Sequence, residues 1–299
     1  RPYLRYKWLL LGVALLPLSL TFSFWAASGL ENSLYAFLIL LSVYFLLREE
    51  AAENATRAVL PIGSALSLVL VGMTRPDGLV YALAGLGFKV LALGLRIAGK
   101  QTERKALRMN FIRLLAWLGI FGLGYGLFRA WHYWYFAAWW PNPIYAKAGW
   151  YGTDLARVWF EPNGWVYLRS YFRNFAAVGI LPALLLGGLA SLRGPQRIFP
   201  LFALAALALP LYTPDWMLNF RFVFPFIPFE VALLALAADQ ILAWLENIRP
   251  LLHRLRINQQ DIPPTAISLQ PLKRGEVSLA FLAAGLAIWF GISAARFAW

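Results

Sequence analysis

The 299-residue chain has no cysteine. Disulfides, thiolate nucleophiles and cysteine metal sites are therefore all excluded. Histidine is almost as scarce. His132 and His253 stand alone in distant segments, so no His/Cys pattern points to zinc. No strand followed by a glycine-rich loop and no Walker pattern is present, and nucleotide binding has no support. Charge is sparse too, at 14% of residues against roughly 25% in a soluble domain. A secretory leader pattern is missing as well. The chain opens at Arg1, and the expectation is a processed or N-terminally incomplete sequence.

What fills the chain instead is apolar. Hydrophobic residues make up 61% of it. Runs of about 20 apolar residues recur, each long enough to span a bilayer as a helix. The runs are continuous rather than alternating, which argues against a β-barrel. The expected fold is all-α: one polytopic membrane domain over 1–299 with about nine transmembrane helices. The spans fall at 7–26, 29–47, 58–74, 77–97, 111–131, 171–190, 198–213, 221–242 and 277–295.

The net charge of +13 becomes informative once it is placed on this topology. Eighteen basic residues fall in connectors on one side and eight on the other, with Lys89 inside a span. The positive-inside rule makes the richer side cytoplasmic. The basic residues flank apolar runs, so the expected partners are membrane lipids, and no nucleic acid. Residues 246–275 read as a cytoplasmic linker with a short surface helix at 249–256. Asn54-Ala55-Thr56 fits a glycosylation acceptor but falls on the cytoplasmic side.

The opposite face holds the unusual residues. "AASGLEN" (26–32), "GMTRPDG" (72–78), the loop 131–170 and "YTPDWMLNFRF" (212–222) all meet it. Acids and bases at membrane depth are costly and often functional. In "TRPDG", Pro76 disfavours helix at Arg75 and suits the start of a new one. Asp77 then lies in a first helical turn, where an acid suits the dipole. It acts there as a charge cap, or Arg75 and Asp77 face a cavity. In "SGLE", Ser28 and Glu31 fit the capping box, and a cap facing a cavity serves both purposes. The aromatic loop 131–170 carries seven of the 14 tryptophans. They form an interfacial belt, contact a substrate, or do both. Thr153 fits as the cap of a surface helix, and "PNG" (162–164) reads as a turn. Two charges lie deeper, Lys89 and Glu230. They pair with each other, or Lys89 snorkels to the cytoplasmic side.

"ASGLENSLYAFL", "TRPDGLVY", "PNPIYAK" and "DWMLNFRFVFP" occur in this order over about residues 26–228. Together they resemble the bacterial GT-C membrane glycosyltransferases related to the mycobacterial terminal arabinofuranosyltransferase. Pro143 stands where that family often has Thr, and Pro214 where it often has Gly. The resemblance implies a polyprenyl-phosphate-linked sugar donor and a glycan or lipid acceptor outside the bacterial cytoplasmic membrane. It implies that Arg75, Lys147 and Arg221 hold the lipid phosphate, a task that suits cations. Glu31, Asp77 and Asp215 would bind sugar hydroxyls or a divalent metal, and no cofactor is otherwise implied. Trp216 and Tyr145 would shape the sugar pocket, with Asn142 of the "PNPIYAK" motif among the substrate-binding residues. Pro225 and Pro228 would bend the next helix beside that cavity.

The family places its catalytic acids in an earlier outer loop, after a first membrane helix. The first outer segment here matches a later part of the family pattern, and the catalytic base stays unassigned. Two functions remain open: the main body of such an enzyme, or a non-catalytic accessory or scaffold subunit derived from one and held by a partner chain. A transporter fits less well, because no inverted repeat is visible.

Overall fold

The computed structural model describes residues 10, 12–14, 16–54, 60–99, 104–139, 162–174, 177–192, 194–212 and 220–256. Every regular element among them is a helix. The α-helices are α1 (Leu20–Ala27), α2 (Asn32–Asn54), α3 (Ile62–Thr74), α4 (Gly78–Ala98), α5 (Arg104–Phe136), α6 (Pro162–Asn174), α7 (Ala177–Ser191), α8 (Ile198–Tyr212) and α9 (Ile227–Arg256). A 3-10 helix, Arg221–Phe226, leads directly into α9.

Three of these are long and apolar enough to cross a membrane: Gly78–Ala98, Arg104–Phe136 and the run Arg221–Leu245. The pair α1 and α2 makes a fourth if taken as one broken span, bent by 109°. Among the described residues this is fewer than nine; the expected span 277–295 lies outside them, and elsewhere the reason is local. The stretch 7–26 is interrupted at Leu16-Pro17-Leu18, a 3-10 turn, after which Ser19 caps α1 by accepting from the Phe22 amide at 3.4 Å. Proline supplies no amide hydrogen and resists helix continuation. The sharp corner follows at Ser28–Glu31, where Gly29 takes φ +70°, a conformation glycine adopts without strain. The apolar helix α3 has only 13 residues, and α7 and α8 have 15 each.

Other boundaries moved for similar reasons. "PNG" is no turn: Pro162 opens α6, where its fixed φ suits a first helical position. The linker placed at 246–275 begins inside a helix, because α9 continues unbroken to Arg256. Pro225 and Pro228 stand where the next helix begins. They sit in the 3-10 lead-in and at the start of α9, where missing donors cost least. The expected span 277–295, and Thr153 with most of the aromatic loop, lie outside the described residues.

The helices pack around one main core. Trp117, Tyr35, Tyr171, Phe88, Phe202, Phe226 and Phe229 are its largest fully buried side chains. α2 packs on α3, α4 on α8, and α7 on α9. α5 is different: only 11% of its apolar window is buried. At 33 residues it is about 50 Å long, well beyond the roughly 30 Å of a hydrocarbon layer. Rings spaced four apart, Trp117, Phe121 and Tyr125, stack along one side of it.

α2 positions both charged regions of the molecule. Glu31 and Asn32 lie at its first turn, and Glu49, Glu50 and Glu53 in its last two turns. From Glu31 to Glu49 the rise along a helix is about 27 Å.

Candidate functional site

The α3–α4 hairpin shows how one side chain becomes available. Arg75 is extended (φ −146°, ψ 140°) and closes α3 by donating its amide to the Val71 carbonyl at 3.1 Å. Pro76 enforces that extended state. Asp77 takes the N-cap position of α4 rather than its first turn, and its side chain makes no capping bond. The carboxylate is spent elsewhere. Gly78 permits the tight approach, since a Cβ there would lie 2.5 Å from the Val71 carbonyl oxygen.

The carboxylate and its neighbours form one cluster. Arg75 Nε donates to Asp77 Oδ1 at 3.0 Å. Arg75 Nη1 donates to Glu31 Oε1 at 3.0 Å and to Asn32 Oδ1 at 3.3 Å. Tyr35 OH donates to Asp77 Oδ2 at 2.9 Å, and the Arg75 guanidinium lies 5.2 Å from the Tyr35 ring centroid. Phe222 covers the guanidinium from another side at 5.3 Å, and Arg221 sits 4.8 Å from the same ring. One aromatic ring thus stands against two guanidiniums, an arrangement favoured by the ring's negative faces.

Burial alone would lower the Arg75 pKa. Asp77, then Tyr35 and Glu31, outweigh it and hold the guanidinium above its usual value. Arg75 therefore stays charged. Its side chain is 12% exposed and that of Asp77 13%, whereas Glu31 is 41% exposed.

Of the residues singled out from sequence, Glu31, Arg75, Asp77 and Arg221 are brought together. Asn142, Tyr145, Lys147, Asp215 and Trp216 lie outside the described residues. The capping-box reading of Ser28 and Glu31 is corrected. Ser28 Oγ donates back to the Trp25 carbonyl, closing α1, and the Glu31 carbonyl accepts from the Tyr35 amide at the start of α2. The helix begins four residues after Ser28, because the Gly29 corner intervenes. Glu31 is thus an N-cap residue whose carboxylate turns to Arg75. Asn32, Tyr35 and Phe222 belong to the cluster but were not selected from sequence. Tyr35 follows Glu31 by four residues, one helical turn, and that spacing was a usable signal.

Backbone strain marks the arm that carries Arg221. Phe220, just before it, is left-handed at φ 54° and ψ 52°, which costs a non-glycine residue about 1–2 kcal/mol. Tyr167 and Tyr171 of α6 hold its ring at 5.3 and 5.5 Å, and the Phe222 amide donates to Tyr167 OH at 3.3 Å.

The opposite end of α2 carries a second charged cluster. Glu49 accepts from the Ser64 amide (3.1 Å), the Ser64 hydroxyl (2.7 Å) and Lys89 Nζ (2.8 Å). Trp117 Nε1 donates to Ser64 Oγ at 2.9 Å. Arg96 pairs with Glu53 at 2.7 Å, and Arg197 with Glu50. Of the two sequence readings of Lys89, the pairing with Glu230 does not hold: Lys89 pairs with Glu49, at the same end of α2 as Arg96 and Arg197. Glu230 is 1% exposed and accepts from Tyr171 OH at 2.8 Å.

Among the described residues no group of three or more His, Asp or Glu side chains is arranged to hold a metal ion. No family model matches the chain, and neither a curated protein nor a solved structure matches it, so its functional reading rests on its own residues.

Proposed function

We propose that this chain is the main body of a membrane glycosyltransferase that moves a sugar from a polyprenyl-phosphate donor to a glycan or lipid acceptor. The supporting observation is convergence. Glu31, Arg75, Asp77 and Arg221 come from three segments far apart in sequence, and they meet at one end of the bundle. These are the positions at which the motifs in the sequence resemble the GT-C enzymes.

The geometry changes the division of labour among them. Arg75 is bound by two carboxylates, so it organises the site rather than holding phosphate. Arg221, on the strained arm, is the better phosphate ligand, with Lys147 as its companion. Asp77, gripped by Arg75 and Tyr35, fixes the corner, and Glu31 faces outward toward the sugar. In this reading the bundle keeps nine spans in the bacterial cytoplasmic membrane. Helices α3, α7 and α8 would cross with the help of their flanking turns. The Glu31 end faces outward and the Arg96/Arg197 end faces the cytoplasm, following the positive-inside rule.

The accessory-subunit reading draws on one observation. The formal charges of Glu31, Arg75, Asp77 and Arg221 cancel, as they would in a purely structural contact. Reconstitution of the full chain with polyprenyl-phosphate arabinose or mannose and an oligosaccharide acceptor separates the two. Under the enzyme reading, wild type transfers label, while Arg221→Ala and Asp215→Asn fold but do not. Wild type that neither binds nor turns over any donor would establish the accessory role.

A further inference from the structure

Tyr171 touches both ends of the arm that carries Arg221. Its ring stands edge-on to Phe220 at 5.5 Å, and its buried hydroxyl donates to Glu230 Oε2 at 2.8 Å. Between Phe220 and Glu230 run the 3-10 helix Arg221–Phe226 and the first turn of α9. One side chain thus closes the arm into a bracket. Tyr167, one helical turn earlier on α6, adds a second hold. Its ring lies 5.3 Å from that of Phe220, and its hydroxyl oxygen accepts from the Phe222 amide. α6 is itself closely seated on α8, since a Cβ at Gly164 would lie 2.5 Å from the Leu211 carbonyl oxygen.

The bracket is a costly way to fill an apolar interior. Glu230 is 1% exposed, and its Oε1 has no hydrogen-bond partner among the described residues. Phenylalanine and leucine at these two positions would avoid burying either polar group. What they would not supply is direction. A hydrogen bond constrains the angle between its partners, whereas apolar contact is non-directional. Direction matters at Phe220, because a left-handed non-glycine backbone persists only where its surroundings over-determine it. Arg221 is the next residue, so the Phe220 backbone sets where its side chain starts.

We propose that Glu230 and Tyr171 are positioning residues that act through Phe220 to hold Arg221 where it meets the donor phosphate. This inference rests on the glycosyltransferase reading, in which Arg221 is the phosphate ligand. The role belongs to the acceptor oxygen at position 230 and not to a charge there, because a phenol donates to an amide oxygen as well as to a carboxylate.

The test uses the full chain in lipid nanodiscs and two probes, polyprenyl phosphate and the phosphate-free polyprenol. Tyr171→Phe combined with Glu230→Leu removes the bond without stranding a buried carboxyl. This double variant is expected to fold, to bind polyprenyl phosphate about ten-fold more weakly than wild type, and to bind polyprenol unchanged. Glu230→Gln keeps the acceptor and is expected to bind both probes like wild type. If the double variant does not fold, Tyr171→Phe alone carries the same contrast, since it keeps the ring against Phe220. Equal weakening toward both probes, wild-type affinity for polyprenyl phosphate once the bond is gone, or a Glu230→Gln as weak as the double variant would each overturn the inference and leave the glycosyltransferase reading intact. If wild type binds polyprenyl phosphate no better than polyprenol, the phosphate role of Arg221 fails and takes this inference with it.

Discussion

The two ends of α2 carry similar residues arranged to opposite effect. At Glu49, a carboxylate that is almost fully buried takes three hydrogen bonds, one of them from a lysine drawn from the middle of α4. Serine and tryptophan extend the network to α3 and α5. It ties four helices together, while in the neighbouring Arg197–Glu50 pair Glu50 Oε2 and Arg197 Nε have no hydrogen-bond partner among the described residues. At Glu31, the carboxylate is partly exposed, a neighbouring amide is unsatisfied, and the arm carrying Arg221 is strained at Phe220. The difference is one of exposure: the Glu31 side chain is 41% exposed and that of Glu49 only 6%. A polar group buried in an apolar protein costs free energy unless it is paired.

The contrast breaks most visibly at Lys89. Lys89→Met strands Glu49 as a buried unpaired charge and is expected to destabilise the protein by about 3–5 kcal/mol. Thermal unfolding in detergent reads this directly, and adding Glu49→Leu should recover much of the loss. Arg75→Met leaves Glu31 and Asp77 without their cation. Glu31 can turn to solvent, so the expected cost is smaller, about 2–3 kcal/mol, while transfer is lost completely. Were Arg75→Met to cost as much as Lys89→Met, the two ends would be alike, and the outer cluster would be a staple too. Gly78→Ala pushes a Cβ against a backbone carbonyl that cannot move aside, at about 1–3 kcal/mol. Its effect should fall on Arg75 geometry, seen as lost transfer in a protein that still folds. The smallest change is Phe222→Leu, which removes the ring facing both guanidiniums. About 1 kcal/mol of stability should go, with donor affinity falling several-fold.

Part of this arrangement was legible in the residues. The Arg75-Pro76-Asp77-Gly78 hairpin follows from proline and glycine chemistry, and α4 matches the run read at 77–97 within one residue. The broken helices were harder to read. Hydropathy alone does not separate a 20-residue span from a 13-residue helix with an apolar lead-in, as at α3. The role of Glu31 was misassigned for a related reason. Ser-x-x-Glu matches a capping box only if the helix starts at once, and the Gly29 corner delays it. Asn32 was passed over because nothing in its local sequence announces a partner more than forty residues away.

By itself the sequence determined that this protein is helical and built for a membrane. It also determined the turn at Arg75–Gly78 between α3 and α4. Those properties are carried by composition and by short-range backbone chemistry, so neighbouring residues suffice to specify them. Only the tertiary structure decided which charges neutralise one another. It gave Lys89 to Glu49 rather than to Glu230, and Arg75 to Glu31 and Asp77 rather than to an open cavity. Pairing in a low-dielectric interior depends on distances of a few ångströms between separate helices, and those distances exist only after the helices pack.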